Sequence, residues 1–134
     1  TSKWSALVPD AEARLRKTAS LSNLARKPLV MLARDRAALA HDGLLAALQA
    51  TGTVPHVAQE AESWAGVAAM VSLGLGSALV PSMVAKRLKV TGATLLPLVE
   101  AEDLPAWTIS CLWLPQPAGT ASADAIALMK NLLG

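Results

Sequence analysis

The chain has 134 residues, 53% of them apolar and 16% charged, with a mean hydropathy of +0.41 and a formal net charge of +2. That length encloses one core of ordinary domain size, and so apolar a composition excludes intrinsic disorder. With no Phe or Tyr the chain lacks the aromatics of stacked-base grooves, and a lone cysteine, Cys111, excludes an internal disulfide or a cysteine zinc site.

Trp4 to Val8 predicts a short strand stopped by Pro9. Asp10 is placed to cap a helix over residues 11–17, whose acidic start and basic end suit the helix dipole. Leu21 to Ala25 reads as one helical turn, and Pro28 ends it ahead of a buried strand, Leu29 to Leu32. Residues 33–36 form a polar loop. A helix follows from Ala37 to Ala50, with Leu44, Leu45, Leu48, Ala40, Ala47 and Leu39 on its apolar stripe and His41, Asp42 and Gln49 off it.

Val54 to Ala58 predicts a second strand of this type. A helix after Glu60 and Glu62 repeats Trp64, Val67, Ala68 and Val71 at helical spacing. Gly74-Leu75-Gly76 turns the chain into a strand at Ala78 to Val80, and Ser82 to Lys89 predicts a short helix. Leu95 to Val99 and Trp107 to Leu114 are further strands, the latter holding Cys111 as a small core residue, and Ser122 caps a last helix through Leu133. The alternation specifies an α/β protein, with a Rossmann-like, mixed and largely parallel sheet flanked by helices.

Ser63 to Ala85 runs 23 residues without a charge, long enough to span a bilayer. Its glycines, Pro81, four serines and half-length periodicity fit a helix, a turn and a buried strand instead. Charge is uneven: residues 1–36 carry a net of +5 and residues 37–134 a net of −3. No helix-turn-helix, zinc knuckle or other nucleic-acid motif accompanies the basic quarter. The start at Thr1, without Met or an apolar leader, predicts a processed chain or a piece of a longer one.

Chemistry-bearing patterns are few. Gly74-Leu75-Gly76 lacks a third glycine and ends a helix rather than starting one, so it is no phosphate loop. His41 and His56 have no nucleophile beside them, and their spacing to Glu60 and Glu62 matches no metal box. Glu100, Glu102 and Asp103, like Glu60 and Glu62, read as solvated loop carboxylates. No catalytic residue, metal or cofactor is expected. Arg34, Asp35 and Arg36 are the more suggestive group, because they leave the C-terminal end of a buried strand and feed a helix, where open α/β sheets bind ligands. An ordinary solvated turn fits the same residues.

The segment from Ala69 to Pro81, AMVSLGLGSALVP, resembles the signature of LysR-type transcriptional regulators: a helix, a V-x-x-G-x-G turn and a strand closing in V-P. Ala6 to Pro9, Leu21 to Ala25, Pro28 to Val30 and Leu95 to Leu98 resemble that family's hinge strand, short turn and later strands. The resemblance implies a fold similar to type 2 periplasmic binding proteins, two subdomains closing on an effector. Residues 4–104 would be the second subdomain and residues 105–134 the return strand and C-terminal helix, all of 1–134 being an effector-binding domain fragment.

The same resemblance implies effector contacts at Arg34, Leu39, Ala40 and His41, with Arg34 or Arg36 pairing with a carboxylate effector; Glu60 and Glu62, by position alone, occupy the equivalent place after the next strand. It implies a cytoplasmic, non-enzymatic sensor that self-associates to cover Trp107 to Leu114 and the last helix. DNA would be reached only through an N-terminal domain outside this sequence, and no membrane is involved. Half of an extracytoplasmic solute-binding protein is the alternative; a small α/β enzyme is disfavoured for want of a nucleophile–base or metal constellation.

Overall fold

A computed structural model describes residues 3–101 and 104. The element order is β1 (Trp4–Pro9), α1 (Asp10–Ala13), α2 (Leu21–Ala25), β2 (Pro28–Leu32), a 3-10 turn (Arg34–Arg36), α3 (Ala38–Gln49), β3 (His56–Ala61), α4 (Trp64–Ser72), β4 (Ala78–Pro81), α5 (Ser82–Ala85) and β5 (Ala93–Pro97). The segments expected to form the Trp107 strand and the final helix lie outside the described residues.

β1 is the central strand of an antiparallel trio, β4–β1–β5, while β2 and β3 pair in parallel. One parallel bridge, Leu29 to Ser77, stitches the two groups together. Val30 N–H donates to the Ser77 carbonyl at 2.9 Å and Ser77 N–H to the Pro28 carbonyl at 3.0 Å. Strands β2, β3, β4 and β5 therefore share one direction and β1 alone opposes it. The sheet is parallel in sense, as expected, although two of its three ladders are antiparallel.

Alternation along the strands builds two cores, because successive side chains face opposite sides of a sheet. Trp4, Ala6 and Val8 of β1, Leu29 and Met31 of β2, Leu79 and Leu96 bury against α2 and α3. Leu7, Val30, Ala78 and Val80 bury on the other side with Val67, Ala68 and Val71 of α4 and Ala85 of α5. Trp64 packs against both cores and meets the Trp4 ring edge-on at a centroid distance of 6.1 Å. Among the described residues no helix is long and apolar enough to cross a membrane, and the charge-free run is divided among α4, the buried strand β4 and the one-turn α5.

Several boundaries differ from the sequence reading. The first helix stops after one turn, with Pro9 rather than Asp10 at its cap; the Asp10 carboxylate instead accepts from the Thr94 hydroxyl at 2.6 Å. Leu15 is 83% exposed, so the expected later turns have no buried contact to hold them. The strand read at Val54 to Ala58 runs from His56 to Ala61, because an edge strand keeps polar Gln59 and Glu60 in register with β2. On α3 the buried face is His41, Leu44 and Leu48, whereas Leu39 points outward at 91% exposure. Glu100 does not merely solvate itself: its carboxylate accepts from Leu21 N–H at 3.2 Å, reinforcing the Ser20 cap of α2.

Gly74 adopts φ +81°, and a Cβ on Gly76 would lie 2.8 Å from the Pro28 carbonyl oxygen. Gly76→Ala should therefore cost about 1–3 kcal/mol by forcing the stitched strands apart. Gly74→Ala, which meets open space, should cost about 1–2 kcal/mol through backbone strain alone. Urea midpoints of the two variants check both values; an unchanged midpoint for Gly76→Ala would show that the β2–Ser77 contact is not a stabilising one.

Candidate functional site

The two parallel strands β2 and β3 end side by side, and Ala33 N–H donates to the Ala61 carbonyl at 2.8 Å just beyond them. The polar residues singled out from sequence collect at this edge. The 3-10 turn after β2 presents Arg34, Asp35 and Arg36; the first turns of α3 present Ala40, His41 and Asp42; and the end of β3 presents Glu60 and Glu62. This is the position at which an open α/β sheet offers helix starts and loops to a ligand.

Both arginines are engaged within the chain. Arg34 grips Asp42 bidentately, Nε to Oδ1 at 2.9 Å and Nη2 to Oδ2 at 2.7 Å. Arg36 donates from Nε to Glu62 Oε2 at 2.9 Å, tying the turn after β2 to the loop after β3. The Arg34 hydrogen bond and its positive charge hold the Asp42 carboxyl below its usual range, and the same contact pushes Arg34 upward. Arg36 is likewise raised by its hydrogen bond to Glu62, helped by the charges of Glu62 and Asp35. All four side chains stand largely in water, so these pairs are readily exchanged.

His41 behaves differently. Its side chain is 9% exposed, with Nδ1 3.5 Å from Asp42 Oδ1 and Nε2 3.6 Å from Glu60 Oε1, and neither ring nitrogen makes a hydrogen bond among the described residues. A narrow apolar crevice runs from this rim beneath α3 between Leu32, Ala37, Ala40, His41 and Trp64. Ala40 lines that crevice, while Leu39 lies on the outward side of α3. Five of the six nominated residues thus gather at one edge, and Leu39 does not face it.

Sequence reasoning missed Asp42 as a member of this group. Asp42 lies eight residues beyond Arg34, not at an i+4 helical spacing, and its pairing depends on how the 3-10 turn folds back along α3. Four carboxylates, Asp35, Asp42, Glu60 and Glu62, stand against two guanidiniums at this rim. Among the described residues no group of three His, Cys, Asp or Glu side chains is arranged to hold a metal ion.

Comparison with known proteins gives the family. The model of the LysR substrate binding domain matches residues 1–132. Solved structures similar to this chain include the full-length regulator CbnR bound to its target DNA, at TM-score 0.63 and 20% identity, covering 73% of this chain and 34% of that one. HinK, a LysR family transcriptional regulator from Pseudomonas aeruginosa, has TM-score 0.56 and 18% identity over 73% of this chain and 34% of its own. The effector-binding domain of BenM with its effector benzoate has TM-score 0.62 and 13% identity over 77% and 47%. The chain thus spans between about a third and a half of these structures, which at such identities establish the fold. No curated protein sequence matches it. The family match favours the regulator over the solute-binding alternative.

Asp42 offers a direct check of the rim. Because its folded value is lowered, its pairing stabilises the fold above the unfolded aspartate range and is lost as the pH falls through the lower folded value. Carboxyl carbon NMR should place the Asp42 midpoint below that of an ordinary aspartate, and Arg34→Ala should return it upward. An Asp42 midpoint indifferent to Arg34→Ala would remove Arg34 as its cause.

Proposed function

The chain belongs to the LysR substrate-binding domain family, and on that premise we propose that it is the effector-sensing part of a bacterial LysR-type transcriptional regulator. Residues 4–104 serve as the second subdomain, and residues 105–134 return to the first. The clustering of Arg34, Arg36, Ala40, His41 and Glu62 at the ends of two parallel strands carries this reading. Such an edge is one wall of a cleft, and a first subdomain supplies the other. The protein binds its ligand and does not transform it, works in the cytoplasm, and reaches DNA through a separate N-terminal domain. In the chain taken by itself, without a first subdomain, self-association covers the apolar surface that the first subdomain would otherwise bury.

The effector carries a carboxylate, as the benzoate of BenM does. Since Arg34 and Arg36 are already held by Asp42 and Glu62, the ligand binds by replacing one carboxylate with another. The guanidinium keeps its charge-assisted hydrogen bonds throughout, and the exposed internal pair it gives up is worth little, so a less hydrated ligand pair leaves a net gain at that end. Selectivity then falls to the crevice and to the facing subdomain. Displacing Glu62 from Arg36 frees the loop after β3 from the turn after β2, which gives effector occupancy a structural consequence.

Titration of the isotope-labelled chain with benzoate and related small carboxylates should shift amide signals at residues 33–42 and 60–62. Arg34→Ala or Arg36→Ala should weaken that response by about tenfold or more, the value of a charge-assisted hydrogen bond. Folding should survive either change, as both side chains are exposed. Wild-type affinity in both variants would show that neither arginine holds the ligand. In parallel, the chain alone should form no sequence-specific DNA complex, and its weak binding should fall steeply with salt; a nanomolar operator complex in a gel shift would refute the assignment of DNA recognition to a separate domain.

A further inference from the structure

His41 is the one titratable side chain among the described residues lining the crevice, and its surroundings do not suit a neutral imidazole. The ring is buried, with Nδ1 3.5 Å from Asp42 Oδ1 and Nε2 3.6 Å from Glu60 Oε1. A neutral ring has one N–H and one lone pair. With an acceptor on each side it can donate to one carboxylate and must turn its lone pair on the other. The imidazolium has two N–H donors and suits both. Neither nitrogen is satisfied at the present distances among the described residues, so the site is arranged around a protonated ring without being closed upon it.

The other charges of the rim converge on these carboxylates. On α3, Asp42 uses the same Oδ1 to accept from Arg34 Nε at 2.9 Å. On β3, Glu60 is half-exposed and lies two residues before Glu62, which holds Arg36. Asp35, on the 3-10 turn, acts on Arg36. β2 lines the crevice beside the ring with Met31 and Leu32, and α4 with Trp64, none of them charged. The Arg34 hydrogen bond is the main cause of the lowered Asp42 carboxyl, and His41 pulls it the same way. Two cations thus draw on one acceptor.

Building on the reading of this edge as the effector site, we propose that protonation of His41 gates it: the imidazolium draws Asp42 and Glu60 onto its two N–H groups and releases Arg34 to a carboxylate ligand. Charge-assisted hydrogen bonds close at about 2.8 Å, so each carboxylate moves by less than an ångström. Asp42 Oδ1 then serves the ring and loosens its grip on Arg34 Nε, while the edge gains one positive charge. Both changes favour an anion. Linkage makes the coupling reciprocal, so a bound carboxylate also favours the protonated ring. Histidine is the side chain whose charge ordinarily changes between about pH 5 and 8, so mild acidification is enough to work the device.

The probe is benzoate, which stays ionised across this range, added to the 134-residue chain. Its affinity by calorimetry should be at least about fivefold tighter at about pH 5.5 than at about pH 8, with protons taken up from the buffer on binding. His41→Gln should flatten that profile. Glu60→Gln, a change at a half-exposed side chain, should move it to lower pH. His56→Gln should leave it as it was, since His56 pairs with Pro28 at the far end of β3. In the ligand-free chain, NMR signals of Arg34 Nε and the Asp42 carboxyl carbon should follow the His41 ring through one titration, and His41→Gln should remove that step. Benzoate binding with a flat profile, a profile indifferent to Glu60→Gln, or one lost with His56→Gln overturns the proposal. No benzoate binding at any pH counts against a carboxylate effector instead. The ligand-free titration then decides, and Arg34 and Asp42 signals that ignore His41 overturn the gate.

Discussion

A single close approach of backbone to backbone makes the sheet continuous. Gly76 and Ser77 run against Pro28 and Val30, with two hydrogen bonds near 3 Å joining β2 to the strand that becomes β4. Space for this contact exists only because residue 76 lacks a Cβ, whose nearest neighbour would be the Pro28 carbonyl oxygen. Without it the β2–β3 pair and the β4–β1–β5 trio would share no strand boundary. The helices spanning the seam would then have no common floor. Ser77 is buried at the join, and its hydroxyl donates to Glu12 at 3.3 Å, which also pairs with Lys27. That small polar network anchors the starts of α1 and β2 to the same point.

The position of the polar edge at the ends of β2 and β3 follows from this join. β2 is fixed in the middle of the sheet, so its C-terminal end delivers the Arg34–Arg36 turn and α3 next to the end of β3. The arginines there are neutralised in advance by carboxylates from α3 and from the loop after β3. Surface ion pairs of this kind contribute little to stability. Their consequence is rather to keep two guanidiniums oriented and to make any anionic ligand compete with a built-in one. Specificity at such a rim is a difference between two similar interactions, which favours ligands that add apolar contact in the crevice.

The charge-free stretch from Ser63 to Ala85 illustrates how one composition serves different burdens. Its first part is α4, with one face in the core; its second part is β4, buried over all four of its residues. Hydropathy averaged over the stretch cannot separate these. The glycine turn at residues 74–76 does, by ending the helix and allowing the sheet to close over the same few residues.

From the sequence alone, the order of strands and helices, the α/β class and the family resemblance were legible. They depend on local periodicity, on Gly and Pro punctuation and on one compact motif, all of which act within a few residues. The gathering of Arg34, Arg36 and Glu62 at the ends of two neighbouring strands was legible too, since strand ends and the loops that follow them are set by the same punctuation. The partners of the site's side chains were not. Arg34 with Asp42, Arg36 with Glu62, and His41 between Asp42 and Glu60 depend on how far α3 rotates and where β3 ends. The inward turn of His41 and the outward turn of Leu39 reverse what hydropathy predicts, because the phase of α3 is decided by Leu44 and Leu48 packing on the sheet. Pairing across loops and helix phase are properties of the assembled layers, and only the tertiary structure decided them.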